Sequence, residues 1–462
     1  MKRLVYILAG LIIVASFLIL LIFRLLNRVP SEEYAENLRV QMILDKGGCL
    51  VCHNMEPEFP FYSNFPVIGK MVREDAAEAL VQIDLNEAMT ALKANQPVGE
   101  VALAKIEKSI LDRTMPLFNY YMIHWASFTT EAEREIILNW ARNHRLAHYS
   151  NGLAADEFLN EAVQPVEDYI PVDQAKVALG DLLYHDTRLS LDNTLSCASC
   201  HDLETAGVDN EVFSPGVGGQ IGTINSPTVF NSVYNFVQFW DGRAPTLATQ
   251  AAQPPLNPVE MASISFEQII DKLKQDKELS RQFHKVYPEG YSEATITDAI
   301  AEFEKTLLTP NSRLDRYLKG EASAMSELEL KGYALFKDYE CATCHVGVYM
   351  GGQSYEKMGM ARDYFADRNT ELSLDDMGRF KETGIERDRH RFKVPGLRNI
   401  ALTEPYFHDG TRKNLRDATA DMALYQLDIS LEEEELDAFE AFYETLTGEY
   451  QGKLLMNKNL NR

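Results

Sequence analysis

Residues 197–201 read CASCH, and the same Cys-x-x-Cys-His shape stands at 49–53 (CLVCH) and 341–345 (CATCH), so all six cysteines fall in three copies of one motif. Two thiols so spaced, followed at once by an imidazole, form the attachment signature of a c-type haem: both sulfurs become thioethers and the histidine goes onto the iron. Zinc would use CxxC in pairs, and three copies leave one stranded while the recurrent histidine goes unexplained. A thioredoxin-type redox centre accounts for neither the three copies nor the histidine. The spacing therefore predicts three covalent haems, on Cys49, Cys52 and His53, on Cys197, Cys200 and His201, and on Cys341, Cys344 and His345, with no cysteine left for a disulfide. Such haems are attached outside the bacterial cytoplasm, which places the body of the chain in the periplasm.

The elements that position the motifs are read next. AKVALGDLLYHDTRLS precedes the second motif and SELELKGYALFKDYE the third, each with a glycine and then Leu or an aromatic a turn later, and MILDKGG precedes the first. The three form an internal repeat of about 140 to 150 residues. Stretches rich in Gly, Pro and Ser, 205–227 and 346–363, read as loops that wrap a cofactor. The fold class is accordingly mainly α, with three cytochrome c-like haem domains behind an N-terminal transmembrane helix. The expected boundaries are 1–30 for the anchor, 31–160 for an N-terminal monohaem domain, 161–310 for a second haem domain and 311–462 for a third. Residues 4–23 are uncharged and almost wholly apolar, enough at 1.5 Å per residue to cross a hydrocarbon layer of roughly 30 Å. A cleavable signal would have a shorter core and a small-residue cleavage site, whereas Arg24 and Arg28 follow here among bulky residues. Lys2 and Arg3 on one side balance those two on the other, so the haem motifs decide orientation: an inner-membrane anchor with its body outside. A formal net charge of −24 argues against nucleic acid and suits a basic or neutral partner. The acidic run Glu432 to Glu435 reads as a solvated helix face.

Function turns on the far side of each iron, because two strong axial ligands make a carrier and an open position admits peroxide or oxygen. For the first haem, Met115 stands directly before a proline in LDRTMPLF, as in small cytochromes c, with His124, His144 and His148 as competitors.

Across roughly residues 165 to 450 the chain resembles the bacterial dihaem cytochrome c peroxidases, on the strength of LGDLLYHDTRLSLDNTLSCASCHDLETAGVDN, INSPTVFN, QFWDGRAPTLATQAAQPPLNPVEM and VPGLRNIALTEPYFHDG. The additional N-terminal motif and apolar run resemble the triheme quinol peroxidase branch of that family. The resemblance implies that the haem at His201 is the peroxidatic one and that the haem at His345 donates electrons to it. Many relatives carry a histidine sixteen residues after the second motif that ligates the resting iron; here that register gives Val217, and no histidine occurs between His201 and His284. An open site follows. The resemblance further assigns Glu260 as the carboxylate that moves a proton on peroxide and Gln250 as the amide that orients it. It assigns Met422 as the axial methionine of the third haem, Trp240 as a tryptophan between two haems that assists electron transfer, and Asn225, Thr403 and Pro405 as ligands of a calcium ion. A related enzyme that matures a tryptophan-derived cofactor has tyrosine at the methionine position, and Met422 argues against that activity.

The expected reaction is reduction of hydrogen peroxide to water with electrons from membrane quinol. Two alternatives stand beside it: a peroxidase fed by a soluble cytochrome c or small copper protein, and a multihaem conduit with no catalysis, which would need a sixth ligand at the His201 iron. His185, His284, His390 and His408 read as mostly structural, with His408 placed to bond a haem propionate.

Overall fold

The N-terminal apolar run forms one helix, α1 (Lys2–Leu26), in the computed structural model, which describes residues 2–459. Its stretch Val5–Leu26 is long and apolar enough to cross a membrane, and none of it is buried against protein. The chain divides into two compact units, Met1–Tyr149 and Ser150–Arg462.

In the first unit, α1 is followed by α2 (Glu36–Gly47), α3 (Pro66–Gln82), α4 (Asn86–Ala94), α5 (Glu100–Leu111), α6 (Phe118–Ile123) and α7 (Glu131–His148). Helix α7 starts where Thr130 accepts the Glu133 N–H and the Glu133 carboxylate accepts the Thr130 N–H, a reciprocal cap read as T-x-x-E. Val40, Leu44, Leu92, Leu103, Ile137 and Trp140 form the heart of a core that α2, α4, α5 and α7 share.

The second unit is also mainly helical. It opens with α8 (Gln174–Tyr184), α9 (Leu247–Ala251), α10 (Phe266–Leu273), α11 (Lys277–Val286) and α12 (Glu293–Glu304). It continues with α13 (Arg313–Leu318), α14 (Glu327–Asp338), α15 (Cys341–Cys344), α16 (Tyr364–Arg368), α17 (Phe380–Thr383), α18 (Leu415–Leu427) and α19 (Glu433–Glu444). Two short antiparallel ladders, β1 (Tyr355–Lys357) with β2 (Arg391–Lys393) and β3 (Glu449–Tyr450) with β4 (Lys453–Leu454), complete it.

The glycines picked out by the repeat have a packing reason. Gly180 on α8 meets α12 so closely that a methyl group built on it would lie 1.9 Å from the Ala299 carbonyl oxygen; on Gly332 of α14 it would lie 2.0 Å from the Ala438 carbonyl of α19. In both pairs a phenylalanine, Phe303 or Phe442, stacks over the same crossing. The helices before the second and third motifs are thus locked to later helices by the absence of a side chain. Residues 161–310 and 311–462 share this one unit, with separate cores around Leu183, Ile269 and Ile300 and around Leu314, Phe336 and Phe442. The Glu432–Glu435 run is, as expected, a largely solvated stretch of helix, at the start of α19: Glu432 and Glu435 form a reciprocal cap, and the acidic first turn complements the positive end of the helix dipole.

Candidate functional site

The three motifs adopt the same local geometry. In each, the histidine backbone N–H closes a tight turn onto the carbonyl of the first cysteine, at 2.9 Å for His53, 3.0 Å for His201 and 3.0 Å for His345. In each, Nδ1 of the histidine faces a backbone carbonyl: Ile83 O at 3.1 Å, Gly207 O at 3.2 Å and Met350 O at 3.0 Å. A carbonyl only accepts, so Nδ1 carries the proton and the lone pair of a neutral ring sits on Nε2, the tautomer that a metal ligand needs. Burial holds all three rings neutral, lowering His53 and His201 below the ordinary imidazole value and His345 to about 4. The six cysteines form no disulfide, and burial pushes Cys49, Cys197 and Cys341 up to about 12. Two thiols in each motif, set beside a half-buried, pre-oriented imidazole, fit a covalently attached c-type haem.

Around the first motif, Met115 is half-buried on the loop between α5 and α6. Two of its competitors have their nitrogens engaged. His144 Nε2 accepts the Val98 N–H at 2.9 Å; His124 bonds the Tyr120 carbonyl through Nδ1 and the Tyr62 hydroxyl through Nε2. His148 is exposed beside His144.

At the second motif, the loop bearing Val217 is pressed onto the segment bearing Glu260. The Val217 N–H donates to the Glu260 carbonyl at 2.8 Å, and a methyl group on Gly216 would lie 2.1 Å from the Val259 carbonyl, so glycine is required there. The Glu260 carboxylate accepts from Asn257 Nδ2 at 2.7 Å on Oε1 and reaches Cys200 electrostatically. Burial raises its pKa above the ordinary carboxylate range, against the opposing charge of Arg243 and the Asn257 hydrogen bond. Gln250, on α9, has a side-chain amide with no hydrogen-bond partner among the described residues, so it is available to a ligand. His284, the next histidine along the chain, is exposed on α11 and bonds the Ser280 carbonyl. Sequence reasoning assigned no role to Arg243 or Asn257. Arg243 stacks 3.5 Å over the Phe239 ring and is held by Gln253 Oε1 and Asp241 Oδ2, each at 2.8 Å. Its signal was a lone cation in the QFWDGRAP stretch.

Around the third motif, Trp240 and Met422 pack against one cluster, that of Met358, Tyr364, Phe365, Phe392 and Tyr425. The Trp240 indole N–H donates to the Asn225 carbonyl at 2.9 Å, and its carbonyl accepts from Lys393 N–H at 2.8 Å. His408 is buried, and its Nε2 lies 2.8 Å from Asp376 Oδ1, a protein carboxylate. Arg368 closes that group, contacting both Asp376 oxygens at 2.8 Å and Asp409 at 2.7 Å. Against the effect of burial, the hydrogen bonds from His408 and Arg368 hold the Asp376 carboxyl well below its usual range. Asp376, His408 and Asp409 lie close enough to hold a cation, but a guanidinium already neutralises them.

The segments of the expected calcium ligands are tied to one turn. Asn225 Nδ2 donates to the Glu211 and Val212 carbonyls at 3.1 and 3.3 Å, and Asn210 Nδ2 donates to the Glu404 carbonyl at 2.7 Å. The Thr403 and Pro405 carbonyls accept no hydrogen bond among the described residues. Asn225 Oδ1 and these two carbonyls are hard oxygens, the donor type that calcium takes.

Comparison with known proteins agrees with these features. Residues 174–323 match the family described as di-haem cytochrome c peroxidase, and residues 25–143 match a haem-binding domain family. The chain is similar to the cytochrome c peroxidase Ccp of Escherichia coli (strain K12), with 46% identity over 422 residues covering 91% of this chain and 90% of that one. It is similar to the cytochrome c551 peroxidase of Nitrosomonas europaea, with 44% identity over 63% of this chain and 85% of that one. Among solved structures, a MauG-like protein associated with microbial copper homeostasis aligns at 29% identity and a TM-score of 0.55, over 62% of this chain and 93% of that one.

Proposed function

Because the chain belongs to the di-haem cytochrome c peroxidase family, we propose that this haem peroxidase is the triheme, membrane-anchored form, reducing hydrogen peroxide to water with electrons drawn from membrane quinol. The observation that carries the proposal is the third haem-attachment turn. The Cys49–His53 motif repeats the imidazole geometry of the other two, in a unit that begins with a helix long and apolar enough to span a bilayer. In this reading α1 sits in the bacterial inner membrane, and the rest of the first unit and the whole of the second lie in the periplasm.

A c-type haem on the second motif would supply an iron at which peroxide is held and reduced, and the other two would store electrons for it. The chain's own residues then divide the work. His53, His201 and His345 would hold the three haem irons through their Nε2 atoms, and the thioethers of Met115 and Met422 would serve as further ligands at the first and third. Val217 offers no side-chain donor atom and so would not close the site of a haem held by His201. Glu260 keeps one oxygen on Asn257 and has the other to take a proton from one peroxide oxygen and return it to the departing one. Its raised pKa suits that exchange, since a carboxyl that titrates nearer neutrality both accepts and donates readily. Gln250 orients the peroxide with an amide that cannot exchange the proton away, and Trp240 lies in the packing that also holds Met422. Asn225, Thr403 and Pro405 hold calcium.

The net charge of −24 favours a second reading of the donor, a basic soluble cytochrome c or small copper protein steered to the surface. The test is steady-state peroxide reduction by the purified full-length chain with ubiquinol, menaquinol or reduced cytochrome c as donor. Turnover with quinol is expected; turnover with the soluble protein alone would replace the quinol assignment.

A further inference from the structure

The first unit carries a surface suited to a reductant that arrives from the lipid phase. The foot of α1 is fixed. Asn27, buried at its end, donates from Nδ2 to the Trp125 carbonyl at 3.0 Å. Its Oδ1 accepts from Lys46 Nζ at 3.3 Å, and that ammonium also bonds the Phe128 carbonyl at 3.0 Å and the Glu133 carboxylate at 2.6 Å. The rings of Phe23 and Phe128 lie 5.5 Å apart and those of Phe128 and Tyr121 5.6 Å apart. Helix α6 and the Trp125 turn therefore stand at the level where the apolar run of α1 ends, which is the hydrocarbon boundary of any bilayer that α1 crosses. At that level the surface is apolar: Phe61, Val67, Phe118 and Ile123 are 78%, 74%, 67% and 72% exposed. Exposed apolar side chains grouped in this way mark a contact surface, and the ring contacts that run from Phe118 through Tyr121 and Phe128 to Phe23 of the spanning helix point to the lipid interface as what they meet.

A polar pair is set into this apolar face. Tyr62 Oη and His124 Nε2 are 2.6 Å apart, and His124 Nδ1 bonds the Tyr120 carbonyl at 2.9 Å, so Nδ1 is the donor and Nε2 the acceptor of the tyrosine proton. The Tyr120 ring stacks on His124 with centroids 4.1 Å apart. The Tyr120 hydroxyl packs so closely on Gly48, next to Cys49, that a methyl group there would be 2.6 Å away. The pair is thus linked on one side to the lipid-facing surface and on the other to the first haem-attachment turn.

We propose that the apolar face of residues 61–68 and 117–125 admits membrane quinol, and that Tyr62 and His124 bind one quinol hydroxyl and take its proton. The proposal rests on the quinol reading above and adds the place and the acceptor. The balance is quinol plus hydrogen peroxide giving quinone plus two waters. Both quinol O–H bonds break, the peroxide O–O bond breaks, and the two electrons of the quinol end on the peroxide oxygens. As Tyr62 receives one quinol proton it passes its own to His124 Nε2, and the imidazolium discharges to water. The second quinol proton leaves to solvent, and two protons are taken up at the peroxide.

The experiment uses the full-length chain in lipid nanodiscs, with decylubiquinone as the binding probe and decylubiquinol as the donor. Binding is followed by quenching of tryptophan fluorescence, for which Trp125 lies in the proposed face, and the haem spectrum serves as the check of folding. Quenching by the quinone is expected in the parent chain. Tyr62→Phe keeps the ring and His124→Gln keeps a hydrogen-bonding group, and each is expected to lower the quinol-supported rate about 100-fold by breaking the proton path. Absence of quinone-induced quenching, or quinol oxidation by both variants at the parental rate, would overturn the site while leaving quinol as donor. A parent chain that oxidises no quinol would overturn the donor and the site together.

Discussion

Glu260→Gln isolates proton transfer from shape. Glutamine presents an oxygen where Oε1 accepts from Asn257 Nδ2 at 2.7 Å, so the segment that also anchors Val217 stays in place. What is lost is the exchangeable proton. A positioned acid–base group contributes about 10² to 10⁴ in rate, or about 2.7 to 5.4 kcal/mol of barrier at 1.36 kcal/mol per decade. Asn257 already holds the carboxylate in position, so an effect of about 10³ in kcat/KM for peroxide is expected. Stopped-flow and steady-state peroxide reduction with the donor held saturating measure it. The wild-type rate should rise with pH through the raised Glu260 pKa, and the variant should lack that limb. Stability runs the other way. A carboxyl whose folded pKa is raised contributes stability below its unfolded value and loses it as pH rises through the folded one. The neutral amide escapes that loss, so the variant should unfold at no lower temperature than wild type at pH 7, with any advantage shrinking toward pH 4. A variant within tenfold of wild type in kcat/KM, or one equally slow but with melted structure, would refute the proton-transfer role.

Gly332→Ala would place a methyl group 2.0 Å from the Ala438 carbonyl and should destabilise the second unit by about 1 to 3 kcal/mol or more, seen as a lowered urea midpoint; Gly99→Ala, with nothing within 4 Å, should be near neutral. Replacing Cys49 and Cys52 together by serine should remove one of the three covalent haems expected from the three motifs, read by mass spectrometry, and abolish quinol-supported turnover.

The haem chemistry was legible because covalent attachment needs its two thiols and imidazole in five consecutive residues, so no long-range folding intervenes between sequence and site. The glycine in each delivering helix was legible as a repeat, but its reason was not: the carbonyls it meets belong to Ala299 and Ala438, more than a hundred residues away in each case. Glu260 and Gln250 are of the same kind. Nothing around NPVEM or ATQA distinguishes an active-site carboxylate and amide from a cap and a surface residue, and the contact that gives Glu260 its setting is a loop closure, Gly216 against Val259. Rival ligands could not be weighed either, since a histidine is disqualified by its partners. Val98 occupies His144, and Tyr62 and Tyr120 occupy His124.

The order of the chain conceals how the second unit is closed. The segment before α8 belongs with the later core: the Ala155 N–H donates to the Leu318 carbonyl at 2.8 Å, the Gly347 N–H to the Ala162 carbonyl at 2.7 Å, and Val163 is buried among Leu314, Phe336 and Phe442. The C-terminal tail belongs with the earlier one. Leu455 is buried with Tyr184 and Phe230, and Asn457 Nδ2 bonds the Thr205 and Leu402 carbonyls at 3.1 and 2.7 Å. Each end of the unit therefore closes the half that is distant from it in sequence, and a cut near residue 310 would leave both cores open. Trp240 crosses in the same sense, bonded to Asn225 and Lys393 and packed with Met422. Trp240 and Met422 are thus held by segments that cannot move apart independently, which is the physical advantage of one interlocked unit over two domains on a linker.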